Sequence, residues 1–181
     1  MAGPDFIARA LSTQAGLLVA SAALLLARPG RVPLRITRRG LAWSALGLTA
    51  LLSINLAASW GMERAREAYL GLPQIPTGVI GMLVVLVGAL SAPLAEELFF
   101  REALLCRVLG SSPRLFAIVV SSLLFGALHL GVGGPVLFVG LSAMGLALAV
   151  VRVRSGSLGA AILAHAANNL VAFLLAAGQD T

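Results

Sequence analysis

The chain has 181 residues, 59% of them hydrophobic and 11% charged, with a mean hydropathy of +0.99. A soluble domain of this size has nowhere to hide that much apolar surface, so composition selects an all-α, polytopic membrane helix bundle. Its 13 basic residues, all Arg, give a net charge of +6, yet they fall between apolar segments instead of along one basic face, which argues for the lipid bilayer as partner and against nucleic acid.

Runs of about 20 apolar residues predict six transmembrane helices forming one membrane domain over residues 1–181. The first, near 7–27, has the look of a signal-peptide core, but Arg28-Pro29 is a poor cleavage context and five further spans follow, so it reads as a retained helix. A basic loop over 28–40 precedes the second span, near 41–60. The third starts near 79 and runs to 98 or beyond, through Pro93. The fourth, fifth and sixth lie near 114–131, 135–151 and 158–177. The single cysteine, Cys106, cannot form an intrachain disulfide and reads as an inert core thiol.

Arginine is unevenly shared between the loops. Arg28, Arg31, Arg35, Arg38 and Arg39 follow span one, Arg107 and Arg114 follow span three, and Arg152 and Arg154 follow span five, all on one side. The other side has Arg64 and Arg66 balanced by Glu63 and Glu67, the uncharged Gly131 to Gly134 turn and a tail with Asp180. The basic side is expected to be cytoplasmic and both termini non-cytoplasmic. Binding of anionic lipid is the other use for the 28–40 loop.

Three fragments put ionisable or amide groups inside apolar helices: Glu96-Glu97-Leu98-Phe99-Phe100-Arg101, Phe125-Gly126-Ala127-Leu128-His129 and His165-Ala166-Ala167-Asn168-Asn169. A charge at the centre of a membrane helix costs roughly 2.5 to 3.5 kcal/mol on insertion scales, so repeated intramembrane charges point to a functional site. Depth is consistent with one site. At about 1.5 Å per residue, Glu96 lies roughly 20 Å from the basic side if span three reaches about Leu109, His129 roughly 22 Å, and His165 and Asn169 roughly 10 and 16 Å.

Spacing separates the roles. Glu97 and Arg101 are one helical turn apart and predict a charge pair that braces the helix, while Glu96 points about 100° away toward a cavity. His165 and Asn169 share a face and aim at one point. Phe125, one turn from His129, shapes or shields its pocket. Asn168 points elsewhere and is expected to make a helix contact. Glu102 and Arg107 read as snorkelling surface charges. Ser53, Ser91, Ser121, Ser122 and Ser142 read as small packing residues.

In this order on successive hydrophobic segments, EExxxR, FxxxH and HxxxN resemble the CAAX protease and bacteriocin-processing (CPBP) family of intramembrane proteases, which includes type II prenyl-protein endopeptidases and bacterial Abi-type proteins. The resemblance covers residues 79–177 as a catalytic core. It implies a helical membrane protease in which Glu96 activates water with help from His129, while His165 and Asn169 form the oxyanion hole. The family has also been described as metal-dependent.

The residue types suit amide hydrolysis without the family name, since the reaction needs a base for water and donors for the developing oxyanion. No cofactor is expected. The alternative is zinc held by Glu96, His129 and His165, although no HExxH pair is present. Other readings are a non-catalytic bacteriocin-immunity or chaperone-like protein, and a small transporter or proton relay, for which no repeat or pair of broken helices is seen. The expected partner is a membrane protein or peptide, such as a C-terminal sorting or processing signal. An Arg-only, Ala- and Leu-rich composition suggests a GC-rich bacterium and hence its inner membrane.

Overall fold

The computed structural model describes residues 4–65, 78–130 and 134–177. The side chains near Arg66 and Glu67, the Gly131 to Gly133 part of the turn and the tail with Asp180, on which the charge balance of the far side rests, lie outside them. Among the described residues six helical segments follow in chain order: α1 (Pro4–Ala27), α2 (Arg38–Ala65), α3 (Gly78–Val108), α4 (Arg114–Ala127), α5 (Pro135–Ser155) and α6 (Leu158–Ala177). In hydrocarbon every backbone N–H and C=O needs an internal partner, which is why apolar runs of this length become helices.

Five of the six are long and apolar enough to cross a membrane. The exception is α4, whose 14 residues give about 21 Å of rise against a hydrocarbon core of about 30 Å. It is extended only by a turn through Leu130. Large apolar side chains face outward, with Leu26 82% and Leu56 75% exposed. That pattern belongs to a protein whose outer face meets lipid tails.

Helix α3 decides where the site lies. It continues through Pro93 to Val108, as the depth argument requires, but the helix changes character along the way. Proline has no N–H to donate, and its ring crowds the carbonyl four residues back. The turns over Val87–Ser91, just before Pro93, are wider π turns, and π turns return over Leu98–Val108. Between them Ala92–Glu97 is ordinary α-helix and carries Glu96 and Glu97.

Without a hydrophobic drive between helices in lipid, association depends on close packing and polar contacts. Leu51 of α2, Met144 and Leu148 of α5 and Ala164 of α6 form one buried cluster; Leu17 of α1, Ala95 and Phe100 of α3 and Phe125 of α4 form another. Gly88 brings α6 against the first π segment, because a Cβ there would run into the Phe173 ring. Gly156, at φ 72°, ends α5 in the left-handed conformation that favours glycine and allows the immediate return into α6.

The 28–40 loop closes the basic end. Arg28 Nη1 donates to the Arg107 carbonyl at 2.6 Å, Arg107 Nη2 donates to the Arg31 carbonyl at 2.9 Å, and Leu158 N–H donates to the Pro33 carbonyl at 2.8 Å. The ends of α1, α3 and α5 therefore gather at one face of the bundle.

Candidate active site

Glu97 is fully buried and serves two partners. Its Oε2 lies 3.0 Å from Arg101 Nε, one turn along α3, and its Oε1 lies 3.0 Å from His165 Nδ1 on α6. The charge pair read from spacing is present. The second contact enlarges the bracing role, because Glu97 also holds an imidazole. A carboxylate only accepts, so His165 Nδ1 carries the hydrogen and the other ring nitrogen is left to act.

That nitrogen, Nε2, lies 3.9 Å from Glu96 Oε2. The separation is too long for a direct hydrogen bond and suits two groups sharing one small molecule such as water. The Glu96 side chain is 12% exposed where that of Glu97 is sealed, in keeping with the different directions that adjacent helical residues take. Arg101 is fully buried with both Nη atoms lacking hydrogen-bond partners; its guanidinium carbon stands 5.0 Å from the Phe125 ring centre and 5.9 Å from that of Phe100. Aromatic faces and the Glu97 carboxylate offset part of the cost of burying the cation.

Phe125 joins the two histidines. Its ring centre lies 5.8 Å from that of His165 and 5.3 Å from that of His129. His129 Nδ1 is 3.0 Å from the Phe125 carbonyl, which again fixes the hydrogen on Nδ1 and leaves Nε2 as the acceptor of the neutral ring. Thus Glu96, Glu97, Arg101 and His165 are brought into one polar chain, and His129 stands beside it across an aromatic ring.

Asn169 lies one turn beyond His165 on the same face of α6. Both face α3, but the Asn169 amide donates to the Gly88 carbonyl at 3.0 Å in the first π segment. Its Oδ1 accepts from Asn168 Nδ2 at 3.3 Å, and Asn168 Oδ1 accepts from Asn55 Nδ2 of α2 at 2.8 Å. Asn168 therefore makes the expected helix contact. Gln14 of α1, buried and donating to the Val87 carbonyl at 3.3 Å, also accepts from Ser91. Sequence reasoning passed over Asn55 and Gln14, although an amide inside an apolar span is itself a signal.

One expectation is overturned. Glu102 does not snorkel; it is 1% exposed, with Arg107 Nη2 2.7 Å from Oε1 and Arg152 Nη2 of α5 2.7 Å from Oε2. Leu98–Val108 is wound in π turns, so residues five apart stack, and Glu102 meets Arg107 inside the bundle. Among the other polar positions, Ser53, Ser121 and Ser122 return their hydroxyls to carbonyls of their own helices.

Zinc takes ligand atoms about 2.0 to 2.3 Å away in a compact tetrahedron. Among the described residues no three His, Cys, Asp or Glu side chains are grouped to hold a metal; Nδ1 of each histidine faces an acceptor, and Nε2 is left open on both rings.

A family model for type II CAAX prenyl endopeptidases, Rce1-like, matches residues 78–171. Comparisons with curated proteins and with solved structures return no match. The matched segment opens with α3, ends within α6 and contains the whole polar chain, while α1 and α2 lie outside it. On that match the chain belongs to the Rce1-like family of type II CAAX prenyl endopeptidases, membrane proteases of the CAAX type.

Proposed function

We propose that the protein is an intramembrane endopeptidase that hydrolyses a peptide bond of a membrane-associated protein or peptide with water activated by Glu96. The observation that carries this reading is the chain Glu96, His165, Glu97, Arg101, in which a half-buried carboxylate faces an imidazole oriented from behind by a sealed, charge-paired carboxylate. Water held between Glu96 and His165 loses its proton to Glu96 as it attacks the scissile carbonyl. His129, with Nε2 as acceptor, helps to hold the water.

As the carbonyl becomes an oxyanion it needs donors in place before the reaction. His165, held at Nδ1 by Glu97, presents Nε2 to that oxygen and donates from it when both ring nitrogens carry a proton. Asn169 has two N–H bonds on Nδ2; one goes to Gly88 and the other is left for the oxyanion. Glu96 then returns the proton to the leaving amine. No step is routed through a metal, and no cofactor is needed. The substrate is a membrane protein or peptide, a C-terminal sorting or processing signal being one such target, in the inner membrane of a bacterium with the basic face toward the cytoplasm.

In purified protein, Glu96→Gln, His129→Ala and His165→Ala should each abolish cleavage while thermal unfolding stays cooperative. Full cleavage by Glu96→Gln would end this reading, and a folded wild type that cleaves no membrane substrate would favour a chaperone or immunity role.

A further inference from the structure

Pro93 leaves a gap in the backbone bonding of α3 that a second helix fills. In the first π segment the N–H of Ala92 donates to the carbonyl of Val87, five residues back. The next carbonyl in that pattern, Gly88, would take the N–H of residue 93, and proline has none. Asn169 of α6 donates to it instead, from Nδ2 at 3.0 Å.

That carbonyl fixes more than one bond. A backbone carbonyl only accepts, so Asn169 must turn Nδ2 toward it and Oδ1 away. Oδ1 meets Asn168 Nδ2 at 3.3 Å, which leaves Asn168 Oδ1 toward α2, where Asn55 Nδ2 donates at 2.8 Å. The amides of Asn55, Asn168 and Asn169 thus form one head-to-tail chain, running from α2 through α6 to the interrupted turn of α3. Hydrogen bonds in such a chain polarise one another, so an amide whose oxygen already accepts is the stronger donor at nitrogen. Asn168 is 2% exposed. Without Asn55 its Oδ1 is a buried acceptor with no partner, and turning the amide over would set that oxygen against Asn169 Oδ1.

Resting on the reading that Asn169 gives its second N–H to the oxyanion, we infer that Asn55 is a positioning residue for the cleavage reaction. It holds Asn168, and through Asn168 the Asn169 amide, in the order that keeps Asn169 Nδ2 toward Gly88 and the oxyanion. Asn55 stands on α2, outside the matched residues 78–171, so α2 contributes to the chemistry as well as to the packing of the bundle.

The test measures kcat and KM of the full chain in detergent, on a quenched fluorescent peptide built on a terminus that the wild type cuts and Glu96→Gln does not. Asn55→Leu, close in shape and without a donor, should lower kcat about tenfold and change KM less than about twofold, because the interaction it weakens is made in the transition state. In the Asn169→Ala background the same substitution should change kcat less than about twofold, since the group it acts through is gone. A lower melting temperature with kcat unchanged would reduce Asn55 to a contact between helices. An equal loss of kcat in both backgrounds would show that it does not act through Asn169, and either result overturns the inference. Asn55→Ala, which adds no bulk, decides between these outcomes if Asn55→Leu fails to fold. Full rate in Asn169→Ala alone would remove the oxyanion reading and this inference with it, whereas a loss of rate there beside wild-type kinetics in Asn55→Leu removes only the inference.

Discussion

Glu97 and His165 lie 68 residues apart in the chain and 3.0 Å apart in space, carboxylate oxygen to Nδ1, in the interior of the bundle. The contact gives Glu97 two separable duties. It pairs with Arg101, which bears on folding, and it orients His165, which on the proposed mechanism bears on catalysis.

The first prediction separates these duties. Arg101→Leu leaves the Glu97 carboxylate buried beside a single imidazole and should cost about 3 to 5 kcal/mol, seen as lower yield and melting temperature. Replacing both by apolar residues, Glu97→Leu with Arg101→Met, should restore much of that stability, because a buried ion pair exchanged for packed hydrophobes is often near neutral. Cleavage should stay absent in the double variant, since His165 has lost its anchor. Recovery of cleavage together with stability would reduce Glu97 to a brace.

A second prediction concerns the approach of α6 to α3. A methyl at residue 88 would press into the Phe173 ring, moving the carbonyl that Asn169 caps. Gly88→Ala should therefore lower both melting temperature and cleavage, and Phe173→Leu added to it should recover a large part of both. Wild-type behaviour of Gly88→Ala alone would show that this contact does not position the site.

Orientation gives a third. Reporters fused after Arg39, Arg114 and Arg154 should read cytoplasmic, and those after Glu67 and at Thr181 external, following the arginine bias. A cytoplasmic reading at Thr181 would overturn the orientation or the number of crossings.

How much of this was legible in the sequence depended on helix geometry. Glu97 with Arg101 could be read because a spacing of four still brings the two side chains together where Glu97 ends the α-helical stretch and Arg101 lies in the first of the π turns that follow. The common depth of the three motifs followed from rise per residue once α3 was taken through Pro93. Glu102 was misread because its place near the basic end of the span suggests a surface charge, whereas it meets Arg107 five residues on in the π turns and Arg152 of another helix. The Glu97 to His165 contact and the capping of Gly88 by Asn169 depend on how closely α6 approaches α3. A small residue in a span permits such an approach without saying which helix makes it.

The fourth prediction sets donors against metal. If His165 and Asn169 stabilise the oxyanion, Asn169→Ala should lose about 10² to 10³ in rate with its fold intact, the usual cost of one oxyanion-hole donor. Purified protein should keep its activity in chelator and contain no stoichiometric metal by elemental analysis. One equivalent of zinc that disappears together with activity in His129→Ala would sink the water-and-donor mechanism, because losing one ligand empties a metal site.

Peptide-bond cleavage that depends on Glu96 is the central claim, and its most direct measurement compares the termini of all membrane and surface proteins, by mass spectrometry, between cells carrying the wild-type chain and cells carrying Glu96→Gln at equal abundance. The account predicts at least one protein whose cleaved terminus is present in the first and absent in the second, with the uncleaved form accumulating. Identical termini in the two strains, with both proteins folded in the membrane, would contradict it.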